Sequence, residues 1–208
     1  MTEFVLQDSR GNTGDRLMFW GKNGSGYTTN LDAAQRYTKE EASSQNECRE
    51  TDLPWPLAYL LEHHTLAVDC QYVKPDEIAT QLDGTEPVYL YAARAWNGND
   101  LLWQTADGRH SDNLAEAEAF EGSMGVSIGA VGRNGLRAIP KAIADGLARK
   151  VVASAKVNHK KALRGTGIML AKRQKPSRSS IQNCGGCGRF VPSPVYTDCS
   201  HCGGSNAP

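Results

Sequence analysis

Glu3-Phe-Val-Leu-Gln7, Gly11-Asn-Thr-Gly14 and Arg16-Leu-Met-Phe-Trp20 follow one another at the start of the chain. They read as strand, turn and strand. The flanking runs are rich in β-branched and aromatic residues, and the glycine/asparagine break between them suits a hairpin. The same order returns 83 residues later as Pro87-Val-Tyr-Leu-Tyr91, Asn97-Gly-Asn-Asp100 and Leu101-Leu-Trp-Gln104. A gap-free slide by 83 aligns Thr2-Glu3 with Thr85-Glu86, Val5 with Val88, Trp20 with Trp103, Asn30-Leu31 with Asn113-Leu114, and Tyr37 with Phe120. A tryptophan match and a register kept over this length point to an internal duplication.

Within each copy, Asn30 or Asn113 is placed to cap a helix, because its side chain accepts from free amides of the first turn. Helices are predicted over residues 31–43 and 114–121, with Leu31, Ala34 and Tyr37, or Leu114, Ala117 and Phe120, on one buried stripe. Each module is therefore ββα, with Trp20 and Trp103 as equivalent core anchors. Between the copies, residues 52–64 read as a proline-initiated helix and 65–73 as a strand. The expected fold is α+β: two tandem ββα modules, a basic helix and a small metal-bound C-terminal module. The boundaries are 1–82 for the first module with its helix–strand extension and 83–136 for the second with its glycine-rich segment. A basic helical segment at 137–173, a linker at 174–183 and the metal module at 184–204 complete the chain.

Charge divides the chain. Residues 1–130 carry 9 Lys/Arg against 21 Asp/Glu, a net −12, whereas residues 131–208 carry 14 against 2, a net +12. Such asymmetry points to an acidic partner for the basic part, nucleic acid above all; mutual neutralisation within one folded unit is the alternative. The alanine-rich stretch 138–164 predicts one long helix with Pro140 near its start and Gly165 after its end. Arg149, Lys156, Lys160 and Arg164 then project from one side, widened by Lys150 and Lys161. A cationic helix face of this kind can replace the counterions condensed on a phosphate backbone. Docking on the acidic repeats, or a membrane surface, are the other uses of such a helix.

Cys184-Gly-Gly-Cys187-Gly188 and Cys199-Ser-His-Cys202-Gly203 form a matched CxxC pair separated by eleven residues. Four thiolates at this spacing suit tetrahedral Zn²⁺, and the glycine after each pair lets backbone amides face sulfur. With four protein ligands no position remains to activate water, so such a zinc is structural. Iron is chemically possible with the same ligands. His201 lies inside the second knuckle and is not expected to ligate. Cys48 and Cys70 stand alone and read as free thiols in a reducing compartment.

Residues 183–204 resemble the short zinc ribbon with two rubredoxin-type knuckles. Zinc ribbons commonly bind nucleic acid or proteins of transcription and replication, which by analogy adds Arg189 to the nucleic-acid-binding set. The run Phe19-Trp-Gly-Lys-Asn-Gly-Ser-Gly-Tyr-Thr-Thr-Asn-Leu-Asp-Ala-Ala-Gln-Arg-Tyr-Thr-Lys-Glu-Glu-Ala42 resembles a short module of uncharacterised phage, prophage and plasmid proteins. That resemblance implies a mobile-element origin and no activity.

No sequence motif argues for an enzyme. His63-His64 lacks the HExxH spacing, the segment Gly122–Gly135 lacks a following Gly-Lys-Ser/Thr, and there is no GxSxG. Lys22 and Tyr27 on the glycine loop are candidates for a partner-binding tip. No apolar run is long enough to span a bilayer, and the first residues lack a signal-peptide pattern, so a cytoplasmic protein of a bacterial host cell is expected. The sequence thus predicts a non-enzymatic accessory protein that binds nucleic acid through its basic helix and zinc module. The rival expectation is an inhibitor or adaptor directed at a host defence or transcription complex, with the acidic repeats as its binding face.

Overall fold

A computed structural model describes residues 2–129, 135–172, 181–192 and 198–205. The chain forms two compact units, residues 1–171 and 172–208. Most of the predicted linker lies outside the described residues.

The first half of the large unit runs β1 (Phe4–Thr13), β2 (Arg16–Trp20), β3 (Tyr27–Thr28), a 3-10 turn at Leu31–Ala33, α1 (Lys39–Cys48), β4 (Asp52–Pro56), α2 (Leu57–Glu62), β5 (Thr65–Ala67), a 3-10 turn at Cys70–Tyr72 and α3 (Pro75–Ala79). The second half repeats this order with one strand, Ala119–Phe120, added before its first helix. It runs β6 (Val88–Asn97), β7 (Asp100–Gln104), β8 (His110–Ser111), a turn at Leu114–Glu116, β9 (Ala119–Phe120), α4 (Gly122–Ile128), β10 (Leu136–Pro140), α5 (Lys141–Leu147), β11 (Arg149–Val151), a turn at Ser154–Lys156 and α6 (His159–Ala162). Its sheets are antiparallel, ordered β3-β2-β1-β4 and β10-β6-β7-β8, with β9 also on β6.

Strand register fixes how the halves correspond. Gln7 faces Phe19 as Tyr91 faces Trp103, and Phe4 faces Pro56 as Val88 faces Pro140. The offset is therefore 84 in the strands, and 83 only after the loop following β2, where Asn30 matches Asn113. The second copy of that loop is one residue shorter, so a gap-free slide misplaces the strands. Trp103 is the counterpart of Phe19, both fully buried, and not of Trp20, which is only partly buried.

The predicted helices after each hairpin begin later than expected. Asn30 and Asn113 do cap, accepting from the amides of Asp32 and Ala115, but each starts a single 3-10 turn. The chain then runs extended until Thr38, whose hydroxyl accepts from Glu41 while Glu41 accepts from the Thr38 amide, a capping box that starts α1. Residues 52–56 are strand rather than helix. Pro54 and Pro56 are tolerated because β4 lies at a sheet edge, where a missing N–H breaks no ladder. Pro140 ends β10 in the same way.

The long basic helix does not form. Residues 136–162 are divided among β10, α5, β11, a 3-10 turn and α6. Gly146 weakens the middle of that stretch, and the β-branched run Val151-Val152 is more favourable in a pairing strand. Tertiary pairing decides the outcome: β11 binds β5, with Arg149 opposite Ala67, Lys150 opposite Leu66 and Val151 opposite Thr65.

That pairing lies on an approximate twofold axis, because 65, 66 and 67 correspond to 149, 150 and 151. Other contacts obey the same symmetry. Leu17 donates to Val152 O at 2.9 Å as Leu101 donates to Val68 O at 3.0 Å; Ser154 donates to Asp15 O as Cys70 does to Asn99 O. Each half also lends an arm to the other's core. Val152 and Ala162 pack with Val5, Leu17, Phe19 and Trp55, while Val68 and Ile78 pack with Tyr89, Leu101, Trp103 and Ile139. Fully burying a side chain of this size is worth about 1.5–3 kcal/mol, so the exchanged arms tie the halves strongly. The hairpin turns meet at the axis. A Cβ on Gly14 would lie 2.5 Å from Gly98 N, and one on Gly98 2.6 Å from Thr13 O.

Candidate metal centre and charged surfaces

In the small unit, β12 (Ile181–Asn183) pairs with β13 (Phe190–Pro192). The two knuckles share one hydrogen-bond pattern. Cys184 N donates to Arg189 O and Gly188 N to Cys184 O; Cys199 N donates to Gly204 O and Gly203 N to Cys199 O, all at 2.8 Å. Gly188 and Gly203 take φ of 70° and 69°, a left-handed turn that suits glycine.

These turns gather the ligating atoms of Cys184, Cys187, Cys199 and Cys202 within 4.8 Å of one another. Sulfur–sulfur separations are 3.6 Å for Cys184–Cys202 and 3.8 Å for Cys187–Cys199. A tetrahedron with Zn–S arms of about 2.3 Å has edges of about 3.8 Å, so the four thiols fit the ion. Amides of Cys187 and Gly186 lower the Cys184 thiol to about 6, and those of Cys202 and His201 lower Cys199. Although Gly204 donates to its sulfur, Cys202 is pushed up to about 12, because Cys187 and Cys184 compete for the same negative charge. A divalent cation at the centre relieves that competition. Cys184, Val191 and Cys199 form the small buried cluster beneath, while Phe190 on the opposite face of β13 is 80% exposed. Arg189 reaches His201 at 3.3 Å.

The cations assigned to one helix face are dispersed. Arg149 is partly buried, its side chain 12% exposed, with Nη2 2.6 Å from Asp100 and Nη1 3.1 Å from Asp69 and 2.8 Å from Thr29. It is structural and not available to a phosphate backbone. Lys150 is paired with Asp32 at 3.1 Å. Lys156, Lys160, Lys161 and Arg164 are exposed and form no ion pair among the described residues. Lys22 donates to Asp32 O, and Tyr27 accepts from Arg10 at 2.7 Å while lying 4.6 Å from the Trp20 ring. The loop tip is thus partly held by its own neighbours. His63 stacks on Tyr59 and bonds its carbonyl, and His64 bonds Leu61 O. Neither joins a metal cluster among the described residues.

A buried ionic network at the twofold axis has no counterpart in the sequence reading. Arg16 Nε lies 2.7 Å from Asp100, and its Nη2 2.8 Å from Asp112. Burial opposes the Arg16 charge, but Asp100 and Asp112 outweigh it and hold the guanidinium above its ordinary value. Asp112 is held down despite burial by Asn97 and Arg16. Arg16 and Asp100 are counterparts at the offset of 84, a fact that the offset of 83 concealed.

The exchanged arms also redistribute charge. Residues 65–148, which build the second core, carry 6 Lys/Arg against 12 Asp/Glu, whereas 1–64 with 149–171 carry 12 against 10. The −12/+12 division is thereby softened within the large unit. No helix among the described residues is long and apolar enough to cross a membrane. No known family model matches the chain, and no curated protein or solved structure matches it either.

Proposed function

We propose that the small unit is a structural zinc ribbon and that it carries nucleic-acid binding for a non-enzymatic protein. The observation that carries this reading is the four-cysteine cluster whose outer strand presents Phe190 beside Arg189. Residues 172–208 hold 5 Lys/Arg and a single acidic residue, Asp198, so the module is cationic as well as aromatic. Bases stack on exposed aromatic rings, and cations release the counterions of the backbone. In the large unit, Lys156, Lys160, Lys161 and Arg164 supply a second set of cations that form no ion pair among the described residues. The matching halves support an origin by duplication of an 84-residue unit, and the resemblance of residues 19–42 supports a mobile-element setting.

A second reading has its own support. The acid-rich end built by residues 65–148 is a docking face for a basic surface of a host protein complex.

Retention of the full chain on single-stranded DNA and RNA across a salt series tests the first reading. Binding is expected to weaken steeply with salt. It should fall by about tenfold or more in Phe190→Ala or on zinc removal. The zinc-free chain should keep the cooperative unfolding of the large unit. Retention that is salt-insensitive, or unchanged by Phe190→Ala, overturns it.

A further inference from the structure

Equivalent bulges interrupt β1 between Gln7 and Asn12 and β6 between Tyr91 and Trp96. Each bulge carries an arginine at the same place, Arg10 in one and Arg94 in the other. Arg10 is neutralised. Asp8 accepts from it at 2.8–3.2 Å, and the arginine holds that carboxyl down at about 2. The counterpart of Asp8 is Ala92. Arg94 accordingly has no carboxylate partner among the described residues, and it takes a left-handed φ of 62°. A bulky residue held in that region at a bulge is a common mark of a functional position.

A cavity of about 200 Å³ opens beside it, lined by Cys70, Tyr91, Ala92, Arg94, Trp96 and Arg137 among others, none of them acidic. Arg137 is the second cation. It stands opposite Tyr91 in the β10–β6 register; its Nε is buried without a hydrogen-bond partner, and it forms no ion pair among the described residues. Two arginines without carboxylate partners among the described residues thus line one cavity, in the half of the unit that is otherwise rich in acid. Trp96 forms part of its wall and is 54% exposed.

We propose that this cavity binds the phosphate of a nucleoside monophosphate group, held between Arg94 and Arg137, with the base lying on Trp96. Guanidiniums match phosphate oxygens in pairs, through two parallel N–H donors. An exposed indole offers the π-face that a base needs. The cavity holds a phosphate but not a whole nucleotide, so the base rests at the exposed rim. The site belongs to the large unit and does not depend on the cysteine module. A free nucleotide and the 5′-phosphorylated end of a strand present the same group.

Titration of the full chain with AMP, adenosine and inorganic phosphate, followed by calorimetry and tryptophan fluorescence, tests the site. AMP should bind more tightly than phosphate, and adenosine should not bind measurably. Ala92→Asp restores to Arg94 the carboxylate that Arg10 already has, a pair the first half accommodates. It should weaken AMP by about tenfold or more while leaving the melting temperature unchanged, and Arg94→Gln should do the same. Trp96→Leu should remove the advantage of AMP over phosphate. Short oligonucleotides with a 5′-phosphate or a 5′-hydroxyl separate the sources: preference for the phosphorylated end identifies a strand, and equal weak binding of both beside tight AMP identifies a free nucleotide. Absence of saturable AMP binding at millimolar concentration, or AMP binding indifferent to both Ala92→Asp and Arg94→Gln, overturns the proposal.

Discussion

The two halves of the large unit share strand register, caps, bulges and even the proline that ends the edge strand, yet they differ at most of their charged positions. Arg16 stands opposite its own counterpart Asp100. Lys160 and Lys161 of α6 correspond to Asp76 and Glu77 of α3, and Asp8 corresponds to Ala92. Backbone hydrogen bonds and core packing tolerate symmetry. An ion pair on a twofold axis does not, since identical residues there would bring like charges together. Joining both halves in one chain frees each position to take its own sign, and the axis becomes the place where the halves are told apart.

The largest expected effect comes from breaking that axis. Asp100→Asn removes the carboxylate shared by Arg16 and Arg149 and leaves a buried guanidinium and a partly buried one under-compensated. Removing one partner of a buried pair typically costs about 3–5 kcal/mol. Chemical denaturation should show a loss of this size with the m-value unchanged. A change below about 1 kcal/mol would mean that water already neutralises the axis.

The exchanged arms come next. Val68→Ala and Val152→Ala sit at counterpart positions, each fully buried in the other half's core. Each should cost about 2 kcal/mol, and the two values should agree closely if the halves are energetically as well as geometrically alike. Unequal costs would locate the weaker core. The second half is the one to watch, since Ala144 and Ile139 stand where the first has Leu60 and Trp55.

How much of this was legible in the sequence follows from the physics of each element. The hairpins were, because alternation and turn chemistry are local. The cysteine centre was, because knuckle spacing alone brings four sulfurs to one point. The offset of 84 was not: a loop one residue shorter in the second half shifts a gap-free alignment, and the Trp20–Trp103 coincidence then reinforced the wrong register. The basic helix failed for a different reason. Spacing of four along residues 139–155 is helical in period, but pairing of Val151 with Thr65 and burial of Val152 in the far core outweigh local preference. Arg149 was accordingly read as a surface cation when it is a structural one. Arg94 at the β6 bulge left no signal at all, for its meaning depends on the absence of an aspartate that only the correct register reveals.

The smallest effect separates the halves by pH. His159 of α6 lies 4.5 Å from the Trp55 ring, and its Nε2 bonds Pro54 O at 2.8 Å, so the ring donates to a carbonyl and sits against an indole. Burial is the main cause that lowers its pKa below 6.5, partly offset by the Pro54 bond. The counterpart position in the other half is Pro75, which cannot titrate. A folded state that resists protonation loses ground to the unfolded chain as pH falls below 6.5, and the loss levels off once the folded-state value is passed. Melting at pH 8 and at pH 5.5 should therefore differ by on the order of 1 kcal/mol or less beyond what the acidic groups contribute. His159→Gln, which keeps a donor for Pro54, should remove that increment. Hydrogen exchange sharpens the comparison further. Acid should speed exchange in α6, β4 and the first hairpin, while Tyr89, Tyr91 and Trp103 in the second stay protected. Equal acceleration in both would show that the exchanged arms make the unit open as one.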